Sequence, residues 1–553
     1  MPDAPFPGLR QAKTLPALLD LAVAQFAQRP ALEFMGRRWT YSELGEWVDR
    51  AAKGLQQLGI KPGDRVGLCL PNTPYFVVFY FATLRAAAIV VNFNPLYSEP
   101  ELRNQISDSG TKLMVVPDLA MIYPKVRAVA DEAGLSWIVV CPMGGILPPV
   151  KAALFPILRY RSLVRPSYDD RVLRLARVIG QSGSPASIPI GADDVAVLQY
   201  TGGTTGTPKG AMLTHRNLTA NCHQVLLHVP SLRLGEERTL AVLPLFHVFA
   251  MTAVMNSGIA TGTELLLHPR FEIGAVVRAI HRQRPTILHG VPTVYAAISS
   301  ATEKRRCDLS SLRFCISGGA PLAAELRKRF EKLTNCKLVE GYGLTEASPV
   351  VACNPLDGRI KDGSVGIPMA DTVIEIREPD KPGRTLPTGA KGEICVRGPQ
   401  VMKGYWKRPE ETAAVFVKGA LRTGDIGYLD EDGYLFIVDR IKDLILCSGY
   451  NVYPRVLEEA LYQHPAVAEA VVIGVPDAYR GQAPKAFVTL RAGAQTQPEE
   501  LLGFLSARLS KIEMPRQIEI RDSLPRTMIG KLSKKELIAE EAKGSRHETT
   551  GER

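Results

Sequence analysis

The run Tyr200-Thr-Gly-Gly-Thr-Thr-Gly-Thr-Pro-Lys-Gly210 constrains this chain more than any other stretch. It packs four glycines, four threonines and one lysine between Tyr200 and Gly210. Glycine lets the main chain take φ > 0 and come close to a ligand. Successive backbone N–H groups in such a loop form a concavity that fits phosphate oxygens. The threonine hydroxyls add donors, and Lys209 adds a positive charge. Val195-Ala-Val-Leu-Gln-Tyr200 reads as a β-strand running into the loop. Sheets with parallel strands bind ligands beyond the carboxyl ends of those strands. The feature therefore points to an α/β fold with a nucleotide or phosphate site. A plain Gly/Thr surface turn shares the composition, but the density of donors favours the phosphate reading.

The spacing is not that of a P-loop, because Pro208 precedes the lysine and Gly210 stands where a metal-binding Ser or Thr would be. The rest of the chain agrees with α/β. Short β-branched runs (Arg65–Leu70, Ala88–Asn92, Lys112–Val116, Ser136–Cys141) alternate with helical spacing, as in Tyr41–Leu58 and Glu101–Ser107. The apolar run Phe76–Val91 contains Arg85 and is too short to span a bilayer, so a buried helix and strand are expected. Residues 372–439 carry short alternating strands with Gly, Pro and Asp turns, which predicts a β-rich subdomain. After Asp439 the α/β pattern returns. A chain of 553 residues exceeds one core at ~150 residues per domain. The expected division is a domain over 1–439 and a smaller one over 440–553, with a polar, disordered tail from about 541.

Nine scattered cysteines, with no C-x-x-C pair, argue against a disulfide framework and for a reducing, cytoplasmic setting. The start of the chain lacks a secretory pattern. A net charge of +11 suits anionic ligands. No nucleic-acid-binding pattern accompanies it. Ile146–Arg165 interleaves apolar and basic residues and is followed by Arg171, Arg174 and Arg177. Such a segment fits the anionic inner face of a membrane as a peripheral contact. It equally fits a solvated basic face of its own domain.

Further clusters carry chemistry. In Glu340-Gly-Tyr-Gly-Leu-Thr-Glu346, Gly341 and Gly343 permit close backbone approach, and Tyr342 offers a ring face to a base. Thr345 is a phosphate donor, and Glu346 is the kind of oxygen ligand Mg²⁺ uses beside nucleotide phosphates. Ser317-Gly-Gly-Ala320 follows a predicted strand. His247 stands among apolar residues, where a lone histidine is commonly structural. Asp425 can accept ribose hydroxyls, and Arg440 is a donor fork for ribose or phosphate. Lys531 is presented by a glycine turn after Gly530.

Together these segments resemble the adenylate-forming enzymes: acyl- and aryl-CoA ligases, peptide-synthetase adenylation domains and beetle luciferases. The resemblance runs from about residue 14 to 540 and is nearest to bacterial long-chain fatty-acid–CoA ligases. Val91–Ser98, Gly398–Trp406 with Arg408-Pro-Glu, and Ser448–Pro454 add to it. Two departures stand out: Ala420 where an aromatic is usual, and Arg455-Val456 in place of a common Asn-Glu pair.

The resemblance implies a two-step reaction. A fatty carboxylate attacks the α-phosphorus of Mg·ATP to give acyl-AMP and pyrophosphate, and coenzyme A then takes the acyl group. It implies ATP contacts at Thr201, Gly202, Gly203, Thr204, Thr205, Gly206 and Lys209. Gly318, Gly319 and Ala320 would line adenine and acyl group, with Gly341, Tyr342, Gly343, Thr345, Asp425 and Arg440 completing the nucleotide site. Glu346 would hold Mg²⁺, and His247 would lie near the substrate carboxylate. Lys531 would bridge carboxylate and α-phosphate, on a mobile small domain pivoting at Lys442. Lys442 and Gly449 join the predicted cofactor contacts. Two rivals are a ligase that passes its acyl group to a carrier protein and a non-catalytic fatty-acid- or membrane-binding protein. Acyl length and oligomeric state stay open.

Overall fold

The computed structural model describes residues 11–158, 160–180, 183–201, 208–304, 307–448, 450–477, 479–527 and 531–548. Two large sheets, both parallel in their centres, form the bulk of the protein. The seven-stranded one runs Val172–Arg174, Trp137–Cys141, Thr111–Pro117, Arg65–Leu68, Ile89–Asn92, Val195–Thr201, Lys209–Thr214. The nine-stranded one runs Ile367–Pro368, Val350–Cys353, Lys337–Gly343, Phe314–Gly318, Ile287–Gly290, Arg238–Ala241, Glu264–Leu267, Pro30–Phe34, Arg37–Thr40. The central strands are almost continuously apolar because helices cover both faces. The predicted elements of this region match within a few residues, including Tyr41–Gln57 and Glu99–Ser109 as helices.

The apolar run becomes helix Pro74–Arg85, with every residue but Arg85 buried, followed by strand Ile89–Asn92. Arg85 is tolerated because its guanidinium pairs with Asp20 and Asp49. Helix Tyr41–Gln57 starts at a reciprocal cap: Thr40 Oγ1 accepts from Glu43 N, and Glu43 accepts from Thr40 N at 2.7 Å.

A six-stranded antiparallel sheet holds Val373–Glu378, Gly392–Arg397, Ala420–Leu429 and Leu435–Arg440. The three-residue turn Ile441–Asp443 then leads into a five-stranded sheet that begins with Ile445–Cys447. Its spine is the long hairpin Val467–Asp477 with Gly481–Leu490, and its core gathers Leu457, Val472, Val488 and Leu501.

One segment departs from expectation. The chain stays helical over Lys534–Glu548, past the break expected at 541. Leu537 is fully buried on that helix, and Glu541 binds Lys485 at 2.7 Å, so the helix is held by packing and charge. Within the basic segment, Val172–Arg174 joins the seven-stranded sheet and Val178 is fully buried. Helix Pro149–Leu158 leaves large apolar side chains outside: Val150 is 73% and Ile157 70% exposed.

Candidate active site

The carboxyl ends of Val195–Thr201, Phe314–Gly318 and Lys337–Gly343 open on one cleft of about 2600 Å³. Thr201, Gly318, Gly319, Ala320, Gly341, Tyr342, Gly343, Thr345, Glu346, His247, Asp425, Arg440, Lys442 and Lys531 all line it. Lys209 pairs with Thr201 across the hairpin of its own sheet, where Thr201 Oγ1 donates to Lys209 O at 3.4 Å. The predicted contacts Gly202, Gly203, Thr204, Thr205, Gly206 and Gly449 lie outside the described residues.

The charged end is built by the six-stranded sheet. Asp425 and Arg440 are register partners on neighbouring strands, and Arg440 Nε sits 3.0 Å from Asp425 Oδ1. Tyr342 OH donates to Asp425 Oδ2 at 2.5 Å. Both carboxylate oxygens therefore already accept one bond, leaving one lone-pair direction on each for a ligand hydroxyl. Asp425 and burial hold Tyr342 well above the ordinary phenol value, so it stays a neutral donor.

Lys531 reaches this end from the five-stranded unit. Its turn is closed by Thr527 N–H donating to Lys531 O at 2.6 Å. A Cβ on Gly319 would lie 2.6 Å from Lys531 Cε and 3.0 Å from Nζ, and Gly319 has φ +82°, so only glycine fits there. Burial, with Arg440 nearby, pushes the Lys531 ammonium down to about 8. Burial and the charge of Lys531 push His247 down to about 3, so its imidazole is neutral. Its Nδ1 accepts from Phe249 N–H at 3.3 Å, which leaves the proton on Nε2.

Tyr405 is a site residue that local sequence reasoning passed over. Gly404–Trp406 adds to the edge of strand Lys209–Thr214 through Met212 N–H to Gly404 O and Trp406 N–H to Gly210 O, both 2.8 Å. That places Tyr405 OH 2.8 Å from Glu346 Oε1 and the Tyr405 ring 5.3 Å from Lys209 Nζ. The only local sign was the Gly-Tyr-Trp run. Glu340 is a second: it is buried at the cleft, and burial pushes its carboxyl up to about 7 against the pull of Arg455. Arg455 sits in the departure from the usual pair. It is buried at the start of helix Pro454–Tyr462, where its N–H donates to Asp439 at 2.8 Å and its Nε to Glu459 at 3.0 Å. Ala420, the other departure, is fully buried opposite Val417.

A Mg²⁺ site is compatible with this arrangement. Glu346 offers one carboxylate, and no cluster of three or more acidic, His or Cys groups occurs among the described residues. That donor set suits a cation that relies on substrate phosphates for its other ligands.

The AMP-binding enzyme family model matches residues 19–406, and the model of its C-terminal domain matches 456–531. The chain belongs to the AMP-binding enzyme family. It is 42% identical over 534 residues to a long-chain-fatty-acid–CoA ligase of Bacillus subtilis (strain 168), covering 96% of this chain and 95% of the relative. It is 39% identical over 509 residues to a feruloyl-CoA synthase of Amycolatopsis sp, covering 92% and 95%. Among solved structures, ATP-bound MatB from Rhodopseudomonas palustris superposes with a TM-score of 0.82 at 30% identity, covering 95% of this chain and 98% of that one. The two relatives are named for different acyl groups.

Proposed function

We propose that the protein joins a long-chain fatty acid to coenzyme A, using ATP, through an acyl-adenylate. The observation that carries this reading is the cleft's polarity. Lys531, Arg440 and Asp425 interact with one another on its wall, while Val225, Val229 and Ile316 belong to an apolar cluster that also lines it. A charged end suits the nucleotide and an apolar end suits a hydrocarbon chain. The resemblance of the whole chain to a long-chain ligase points the same way.

Each residue then has a task. Thr201 and Lys209 hold phosphate oxygens, and Asp425 with Arg440 orients the ribose. His247, neutral and protonated on Nε2, donates to the fatty carboxylate and keeps it in line with the α-phosphorus. Lys531, held down to about 8 and so still mostly charged at neutral pH, neutralises the charge that builds as the carboxylate attacks. Glu346 would hold Mg²⁺, positioned by Tyr405; the metal's chemistry is charge neutralisation on the phosphates. Positioning and electrostatics carry such phosphorus chemistry. Coenzyme A must then approach the mixed anhydride where Lys531 stood. The turn Ile441–Asp443, between the last strand of one sheet and the first of the next, is the pivot for that exchange, with Lys442 at its centre.

The test is product analysis with fatty acid, ATP and coenzyme A. Pyrophosphate, AMP and acyl-CoA are expected. Acyl-AMP that forms but does not pass to coenzyme A favours the carrier-protein rival, and no pyrophosphate with any fatty acid refutes the reading. A Lys442→Pro variant that runs both half-reactions at full rate places the pivot elsewhere.

A second reading concerns helix Pro149–Leu158, where Val150, Leu154 and Ile157 are exposed on the same helix as Lys151, ahead of Arg161 and Arg165. This face suits peripheral contact with an anionic membrane. Changing Arg159, Arg161 and Arg165 to Gln should release the protein from anionic vesicles; unchanged binding refutes it.

A further inference from the structure

The apolar end of the cleft does not finish where the main cavity finishes. Behind it lies a second cavity of about 30 Å³. The two share one wall, made of Val225, Val229, Ala253, His289 and Ile316. A row of side chains leads to that wall from the nucleotide end. A Cβ on Gly318 would meet Phe249 Cε1 at 3.0 Å, so the Phe249 ring lies directly on the turn. That ring meets His289 edge-on, with centroids 6.0 Å apart at 84°.

His289 is an unexpected residue for its place. It lies on the central parallel strand Ile287–Gly290 and is 4% exposed. Strands buried on both faces are normally runs of Val, Ile and Leu. Its Nδ1 has no hydrogen-bond partner among the described residues. Burial pushes the imidazole down to about 4, so the ring is neutral at physiological pH. A buried nitrogen without a partner destabilises a fold, so stability does not account for an imidazole here. The missing bond has a second consequence: Nδ1 does not anchor the ring between the two cavities.

The inner cavity is suited to hydrocarbon. Thr261 Oγ1 donates to Ser257 O at 3.0 Å and lies 2.9 Å from Thr263 Oγ1, and Ser257 Oγ donates to Thr252 O at 2.9 Å. With these hydroxyls engaged, Leu226, Ile287 and Phe314 set the character of the remaining lining. A cavity needs roughly 10–15 Å³ of such space to hold one water, so this one has room for about two methylene-sized groups.

We infer that His289 and Ala253 form the gate between the acyl channel and this inner extension, and that they set the longest chain the enzyme accepts. His289 divides the two spaces from the sheet side. Ala253, on the π-helical turn Ala250–Asn256, lines both spaces as well, and a larger residue there would take up room at the shared wall. The inference rests on the acid-activating function proposed above.

The test is pyrophosphate release with a ladder of saturated acids from butyrate to eicosanoate. His289→Ala should extend the usable length by roughly two methylenes, with kcat/KM for those longer acids rising on the order of fourfold per methylene buried. Ala253→Leu should move the limit to shorter acids. The readout is the ratio of kcat/KM for the longest acids to that for butyrate and hexanoate, which should rise in His289→Ala and fall in Ala253→Leu. The Ala253 arm stands even where His289→Ala fails to fold. Variants that keep the wild-type length limit overturn the inference, and so does a uniform loss across all lengths. Wild-type protein that activates no acid at all removes the proposed function instead, a result plainly different from an unchanged limit.

Discussion

The two ends of the cleft are built in opposite ways. The end proposed for the nucleotide is assembled from short segments at or near strand ends: Gly318–Ala320, Gly341–Thr345 and Asp425 with its register partner Arg440. The end proposed for the acyl group is assembled from side chains on elements far apart in the chain. Val225 lies on helix His215–Leu227, Ala253 on a π-helical turn, His289 and Ile316 on neighbouring strands. The first design fixes backbone donors and charges and tolerates little change. The second fixes only a volume, which substitutions can reshape without touching the chemistry. Nucleotide-end variants should therefore slow every acid alike, and acyl-end variants should change which acids are used.

The largest expected effect comes from Lys531. Lys531→Ala should lower acyl-AMP formation on the order of 10²–10³-fold for short and long acids alike, the range for removing one transition-state donor. Conversion of supplied acyl-AMP to acyl-CoA should survive. Equal loss of both half-reactions, or a loss that depends on chain length, would break the division between the ends.

Next comes Glu346. Glu346→Gln should raise the Mg²⁺ needed for half-maximal rate on the order of 100-fold while leaving thermal unfolding unchanged. A Mg²⁺ titration that overlays the wild type would show that the cation is held elsewhere.

The pH dependence of adenylation should show one limb from the same lysine. Lys531 must be charged to meet the phosphate, and in the free enzyme it is held down to about 8. Below that value it is protonated and kcat/KM is flat; above it kcat/KM should fall by about tenfold per pH unit. The thioester half-reaction should lack this limb, and Lys531→Arg, permanently charged, should lose it too. A limb that persists in Lys531→Arg belongs to another group.

The smallest effect sharpens the comparison inside the nucleotide end. Tyr405→Phe removes one hydrogen bond to Glu346 and should raise the Mg²⁺ requirement by about fivefold, in line with ~1 kcal/mol for such a bond. Rate at saturating Mg²⁺ should hold. A loss at all Mg²⁺ levels would give Tyr405 a direct part in the reaction.

The same contrast separates what was legible in the amino-acid order from what was not. Strand-to-loop junctions and the short motifs bearing Gly319, Glu346, Asp425 and Lys531 were readable. Their chemistry depends on residues within a few positions of one another. Tyr405 and Glu340 were not readable, because their partners are 59 and more than 100 positions away. The helical continuation past residue 541 was also hidden, since it depends on Leu537 finding a hydrophobic cleft and Glu541 finding Lys485.

The sequence by itself determined the α/β class and the membership of the AMP-binding enzyme family, since short motifs of backbone donors and charges are written in neighbouring residues. Tertiary structure decided that Lys531 arrives against Gly319, that Tyr405 braces Glu346, and that the acyl channel meets its wall at His289 and Ala253. Those are properties of packed volume and register, and volume exists only after distant elements have been brought together.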